Sequence, residues 1–205
     1  MINRLLLVVC LVFWALAADA AQAILVFGDS LSAAYGIPKE SGWVALLDQR
    51  LRQQWPGYRV INASISGETT SGGRYRIERE LAEVRPAIVI LELGANDGLR
   101  GLPLEAARAN LDAIIAACRK HDARVLLIGM RLPPNYGAAY AAGFQDIYRQ
   151  AAKRYETPLL PFLLEGFADR PELFQADGLH PTAAAQPPIM EMVWKRLQPM
   201  LVKSR

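Results

Sequence analysis

The sequence predicts an α/β fold, a three-layer sandwich of helices around a five-stranded parallel sheet. Three observations point there. Five short runs, at 23–27, 58–62, 87–93, 124–129 and 158–162, are rich in Val, Ile and Leu. Most are continuous rather than alternating, as strands buried on both faces are. Helical patterns fill the gaps between them, and strict β-α alternation is the signature of a doubly wound sheet.

The elements follow in order. After the first strand, 42–54 is amphipathic and stops before Pro56-Gly57. After the second, 71–84 is charged on one face and stops before Pro86. The third strand leads to a helix at 103–120, with Pro103 as its first residue, where a missing N–H costs nothing. The fourth leads to a helix at 138–155. The last helix spans 182–202, and Pro187, Pro188 and Pro199 are expected to break or kink it.

The 205 residues suit one domain, expected at 21–205, with no repeats, linkers or low-complexity tracts. Residues 1–20 read as a cleaved signal peptide. Arg4 gives a positive start, 5–16 is an unbroken apolar run, and Ala18-Asp19-Ala20 offers the small residues a signal peptidase needs. Cleavage after Ala23 also fits but would begin the chain inside a strand. The competing reading, an uncleaved anchor, suits the run less well, because a span needs roughly 20 residues. Export implies a periplasmic or secreted protein without a stable membrane span. Val9 before Cys10 argues against a lipid anchor. Cys118 is then the lone cysteine, expected in a helix core, so no internal disulfide can form.

The net charge of +3 is mild. Arg74, Arg76, Arg79 and Arg85 alternate with Glu78, Glu80 and Glu83, which reads as a solvated helix face and not a nucleic-acid stripe. Only two histidines are present, too few for a histidine metal site without thiolates. No metal and no cofactor is expected.

In doubly wound sheets, ligands bind outside the carboxyl ends of the strands. Four polar clusters fall there: Gly28-Asp29-Ser30-Leu31-Ser32, Asn62-Ala63-Ser64-Ile65-Ser66-Gly67, Leu93-Gly94-Ala95-Asn96-Asp97 and Asp177-Gly178-Leu179-His180-Pro181. A serine nucleophile needs a general base, and histidine is the usual one. His121 sits at a helix C-terminus, where a solvated charge is at home. His180 lies three residues after Asp177, across a glycine, so a tight turn lets the carboxylate orient the imidazole. Ser30 alone could be a turn or a helix N-cap. Gly67 offers an unobstructed backbone N–H and Asn96 a side-chain amide, both able to meet an oxyanion. Each has a plain alternative, turn chemistry for Gly67 and an Asx turn for Asn96. There is no G-x-S-x-G elbow, P-loop or G-x-G-x-x-G.

Taken together, the four clusters resemble the SGNH, or GDSL, hydrolase family, over essentially the whole chain after residue 20. Gly28-Asp29-Ser30-Leu31 matches its first block, Gly67 its second, Gly94-Ala95-Asn96-Asp97 its third, and Asp177 with His180 its last. Stretches 62–69, 93–101, 132–137 and 176–181 are similar to the bacterial arylesterases and the multifunctional thioesterase–lysophospholipase group. Ala95 stands where a second glycine is common, and Glu68 where an aspartate is frequent.

The resemblance implies a flavodoxin-like sandwich and a serine hydrolase working through an acyl-enzyme. Ser30 is the nucleophile, His180 the base and Asp177 its orienter. The N–H groups of Ser30 and Gly67 and the amide of Asn96 form the oxyanion hole, and Asp29 holds the nucleophile turn. Implied substrates are small-molecule aryl esters, acyl thioesters and lysophospholipids, handled by a monomer. Leu31, Leu99, Leu102, Pro133, Tyr136 and Tyr140 flank the blocks and could line an acyl groove or simply pack. Two other readings stand beside this one: a carbohydrate O-acetyl esterase of the same family, and a non-catalytic binding module on a flavodoxin-like sheet.

Overall fold

The computed structural model describes residues 21–202. The expected signal peptide lies outside the described residues. Five parallel strands form one sheet in the order β2-β1-β3-β4-β5, with β1 at Gln22–Gly28, β2 at Tyr58–Asn62, β3 at Ile88–Glu92, β4 at Arg124–Ile128 and β5 at Leu159–Leu160. Six α-helices connect and cover them: α1 Trp43–Gln54, α2 Thr70–Val84, α3 Ala95–Leu99, α4 Leu104–Lys120, α5 Ala138–Arg154 and α6 Gln186–Leu197.

The continuous apolar strands are buried as their composition requires. Ile24 to Phe27 of β1 and Ile88 to Leu91 of β3 are all fully buried. Helices α1 and α6 pack on each other, and α2, α4 and α5 form a second layer. Right-handed crossovers impose this split. The connection from β1 steps outward to β2, the next returns past β1 to β3, and the remaining ones continue in that direction. Strand order therefore reverses between β1 and β3, the crevice where such sheets bind ligands.

Local chemistry sets the helix ends. Thr69 caps α2 by accepting the Gly72 N–H at 3.3 Å, and Arg85 closes it in a left-handed conformation, φ 46°. Cys118 is buried on α4, and burial pushes its thiol up to about 12, which makes it unreactive.

Several expectations need correction. Pro187 and Pro188 do not break the last helix; they lie in the first turn of α6, where an N–H has no helical partner to lose. A 3-10 turn at Ala183–Ala185 precedes it, and Pro199 falls in a second one, Gln198–Met200. The last strand has only two residues, because Pro158 and Pro161 flank it and neither can donate to a ladder. Arg76 is not solvated but buried. It pairs with Glu68 at 2.7 Å and lies over the Phe27 ring at 3.9 Å. No helix among the described residues is long and apolar enough to cross a membrane.

Candidate active site

The nucleophile turn begins where β1 ends. The Ala33 N–H donates to the Asp29 carbonyl at 2.9 Å and the Tyr35 N–H to that of Ser30 at 3.3 Å, coiling the chain just past the strand. The Leu31 N–H donates to Asp29 Oδ1 at 3.0 Å. Ser30 is left half-buried, with its hydroxyl facing the loop that follows β5.

That loop carries Asp177 and His180. Gly178, at φ +67°, allows the turn between Asp177 and His180. Asp177 Oδ1 accepts the N–H groups of Leu179 at 2.9 Å and His180 at 3.0 Å, while Oδ2 faces His180 Nδ1 at 2.6 Å. His180 Nε2 is 2.9 Å from Ser30 Oγ. The two backbone donors, then the imidazole, hold the Asp177 carboxyl down at about 2. An ionised carboxylate only accepts, so it places the imidazole proton on Nδ1 and leaves the Nε2 lone pair for the hydroxyl. The loop is tied down by Gln175, whose Nε2 donates to the carbonyls of Tyr35 at 2.8 Å and Pro181 at 3.1 Å. The Tyr35 ring lies against that of His180, with centroids 4.5 Å apart and planes tilted by 40°.

Gly67 lies after β2 with φ +79°, where a side chain would be strained. Neither its N–H nor that of Ser30 has an acceptor among the described residues. Asn96 sits in the short helix α3, not in the Asx turn that was its plain alternative. Its Nδ2 already donates to Asp29 Oδ2 at 3.0 Å and to the Glu68 carbonyl at 2.9 Å. An amide nitrogen has two protons, so an arriving oxyanion must share or displace one of these acceptors.

A cavity of about 580 Å³ opens beside Ser30 and His180. Leu31, Leu99 and Pro133 line it, as expected. Leu102 and Tyr136 do not; nor does Tyr140. The hydroxyls of Tyr136 and Tyr140 donate instead to the carbonyls of Leu99 at 2.9 Å and Leu102 at 2.8 Å, bracing the end of α3. Sequence reasoning missed Met130 and Leu132 after β4, and Phe162, Leu164, Ala168, Phe174 and Leu179 in the β5 loop. A signal existed for the first two, apolar residues directly after a strand. The loop residues follow no periodicity. His121 pairs with Glu78 at 2.8 Å and takes no part in the site. A second hollow of about 460 Å³, beside Arg119, Arg124 and Tyr155, contains none of the strand-end residues.

A model described as the GDSL-like Lipase/Acylhydrolase family matches residues 26–186. Esterase TesA of Pseudomonas aeruginosa is 49% identical over 182 residues, covering 89% of this chain and 90% of that protein. The Escherichia coli protein named thioesterase 1/protease 1/lysophospholipase L1 is 40% identical over 184 residues, covering 90% of this chain and 87% of that one. A crystal structure of TesA matches with a TM-score of 0.86 and 48% identity, over 88% of this chain and 100% of that chain. The chain belongs to the GDSL-like lipase/acylhydrolase family, the SGNH hydrolases, and is a carboxylic ester hydrolase.

Proposed function

We propose that Ser30, His180 and Asp177 cleave aryl esters, acyl thioesters and lysophospholipids through an acyl-enzyme. The supporting observation is the contact of Ser30 Oγ and His180 Nε2 at 2.9 Å beside an apolar cavity. Ser30 Oγ attacks the acyl carbon as its proton passes to Nε2. The carbonyl oxygen takes up the negative charge between the N–H groups of Ser30 and Gly67, assisted by Asn96. Collapse expels the alcohol or thiol, which receives the proton from His180. Water, deprotonated by His180, then releases the acid and restores Ser30.

The cavity wall of Leu99, Leu132, Phe162 and Leu164 favours medium to long acyl chains. Tyr35, Ile65, Leu102 and Leu179 are exposed on loops that follow four different strands, giving the rim an apolar character that suits lipid-like esters. An apolar cavity of this size has less use in a carbohydrate O-acetyl esterase, and the relatives named above are esterases and a thioesterase–lysophospholipase. With residues 1–20 acting as a signal and 21–205 as one domain, the enzyme works in the periplasm. Export separates it from the cytosolic acyl-CoA pool, which leaves esters and lysophospholipids as the native substrates.

The test uses purified 21–205 with p-nitrophenyl esters and matched thioesters from acetyl to palmitoyl. Turnover should rise from acetyl to medium chains, and Ser30→Ala should abolish both turnover and labelling by a fluorophosphonate. Full activity in Ser30→Ala would remove the serine from its role. A strict preference for acetyl groups on sugars would favour the carbohydrate reading.

A further inference from the structure

The nucleophile turn stands on two buried carboxyl groups. Glu92 ends β3, opposite Gly28 at the end of β1, and is fully buried. Its Oε2 accepts from Ser32 Oγ at 2.7 Å and from the Asp29 N–H at 3.3 Å, while its buried Oε1 has no hydrogen-bond partner among the described residues. Asp29 is fully buried as well, and its two oxygens accept the Leu31 N–H and the Asn96 amide. A Cβ at position 28 would lie 2.6 Å from Glu92 Oε2 and 2.8 Å from Ser32 Oγ. Glycine there makes room for the Glu92 carboxyl.

Among the described residues, no lysine or arginine bonds to either group. The ionisable groups facing the pair are Asp97 after β3, Tyr148 from α5 and the imidazole of His180. Tyr148 spends its proton on the Leu93 carbonyl at 3.0 Å. Burial disfavours a charge on each carboxyl, and a like charge alongside disfavours it further. Burial, then the charge of Asp29, holds Glu92 well above the usual carboxylate range, and burial pushes Asp29 up to about 6.

We infer that Glu92 is a neutral carboxylic acid, and that the Glu92–Asp29 pair is a positioning device that leaves the Ser30 N–H open to an oxyanion. A proton on Glu92 Oε1, donated to Asp29, supplies the missing partner of that oxygen. Together the pair binds the Asp29 and Leu31 N–H groups, the Ser32 hydroxyl and one Asn96 proton. Among the backbone donors of residues 29–31, only that of Ser30 lacks an acceptor among the described residues. A single proton also keeps one negative charge, rather than two, beneath the point where the oxyanion develops. This assignment rests on the catalytic reading of Ser30.

The test pairs infrared spectroscopy with kinetics. A protonated carboxylic acid band should be present at pH 8 in wild type and in Ser30→Ala, and absent in Glu92→Gln. Glutamine supplies N–H where the acid supplies O–H, so Glu92→Gln should keep most of its kcat at pH 7 with KM unchanged. It should also lose the alkaline fall in kcat that ionisation of Glu92 brings to the wild type. Glu92→Leu, which cannot hold the turn, should lose kcat by at least about tenfold. Absence of the acid band in wild type, its persistence in Glu92→Gln, or equal losses in Gln and Leu variants at pH 7 would overturn the inference. The band can be read in folded wild type whatever the variants do. A failure of the Ser30 assignment would appear separately, as activity in Ser30→Ala.

Discussion

Asn96 and Arg100 sit one helical turn apart on and just after α3, and they hold neighbouring carbonyls of one loop. Asn96 Nδ2 donates to the Glu68 carbonyl at 2.9 Å, and Arg100 Nη2 donates to that of Gly67 at 3.0 Å. The segment carrying the Gly67 N–H, which follows β2, is thus fixed from the end of β3, across β1 in the sheet. Asn96→Ala removes both a clamp and the proposed oxyanion donor, and should lower kcat by about 10²–10³-fold while KM changes little. Arg100→Ala removes a solvent-exposed clamp only and should have a smaller effect on kcat. Steady-state kinetics on p-nitrophenyl butyrate measures both.

Asp177 does two jobs with two oxygens. Oδ1 holds the Leu179 and His180 N–H groups and Oδ2 holds the imidazole. An asparagine can keep its oxygen on the backbone only by turning its NH₂ toward Nδ1, which reverses the tautomer and points a proton at Ser30. Asp177→Asn should therefore lose kcat by about 10³–10⁴-fold with its fold intact by circular dichroism. The carboxyl is held at about 2, below its unfolded value near 3.9. Its stabilising effect is complete above the unfolded value and is lost as pH falls toward 2. Loss of wild-type activity between pH 6 and 4 should therefore involve other groups, and a pH–rate profile with a parallel unfolding series checks this.

Glu68 and Arg76 are an ion pair at 2.7 Å with both side chains largely buried. Glu80 lies farther from Arg76, at 3.6 Å, and Arg76 Nη2 has no hydrogen-bond partner among the described residues. Glu68→Gln leaves a buried guanidinium short of its main counter-charge, and should cost about 3 kcal/mol in urea unfolding. Glu68→Leu combined with Arg76→Met should recover part of that loss, since neither charge is then stranded. In both variants kcat should fall more than KM rises, because the Glu68 carbonyl anchors Asn96.

The fold was legible because its central strands β1, β3 and β4 are continuous apolar runs, and burial on both faces leaves little else they could be. The convergence of the clusters that form the candidate site was legible because strand ends in a doubly wound sheet meet, whatever their distance along the chain. The misreadings have physical sources. Arg76 shares helix α2 with exposed charges, and periodicity says nothing of Phe27 and Glu68 arriving from other elements to cover it. Pro187 reads as a breaker only if the helix begins before it; a start at Gln186 makes it compatible. Glu92 did leave a trace, a lone acid inside the apolar run 87–93, and a buried charge there requires a partner or a proton. The wall contributed by 162–179 left none, since an irregular loop carries no period.

Ala168 offers the cleanest probe of that wall. It lines the cavity, yet it is exposed on the β5 loop, so a larger side chain there does not displace core atoms. Tryptophan at this position would project into the space occupied by the distal part of an acyl chain. An acetyl or butyryl group, held close to Ser30, would not reach it. Ala168→Trp should lower kcat/KM for long-chain esters by at least about tenfold, the effect of losing roughly two buried methylenes. Activity on p-nitrophenyl acetate and the unfolding midpoint should stay near wild type. Unchanged activity at every chain length would mean that the acyl chain leaves Ser30 in another direction, away from the wall that Ala168 lines.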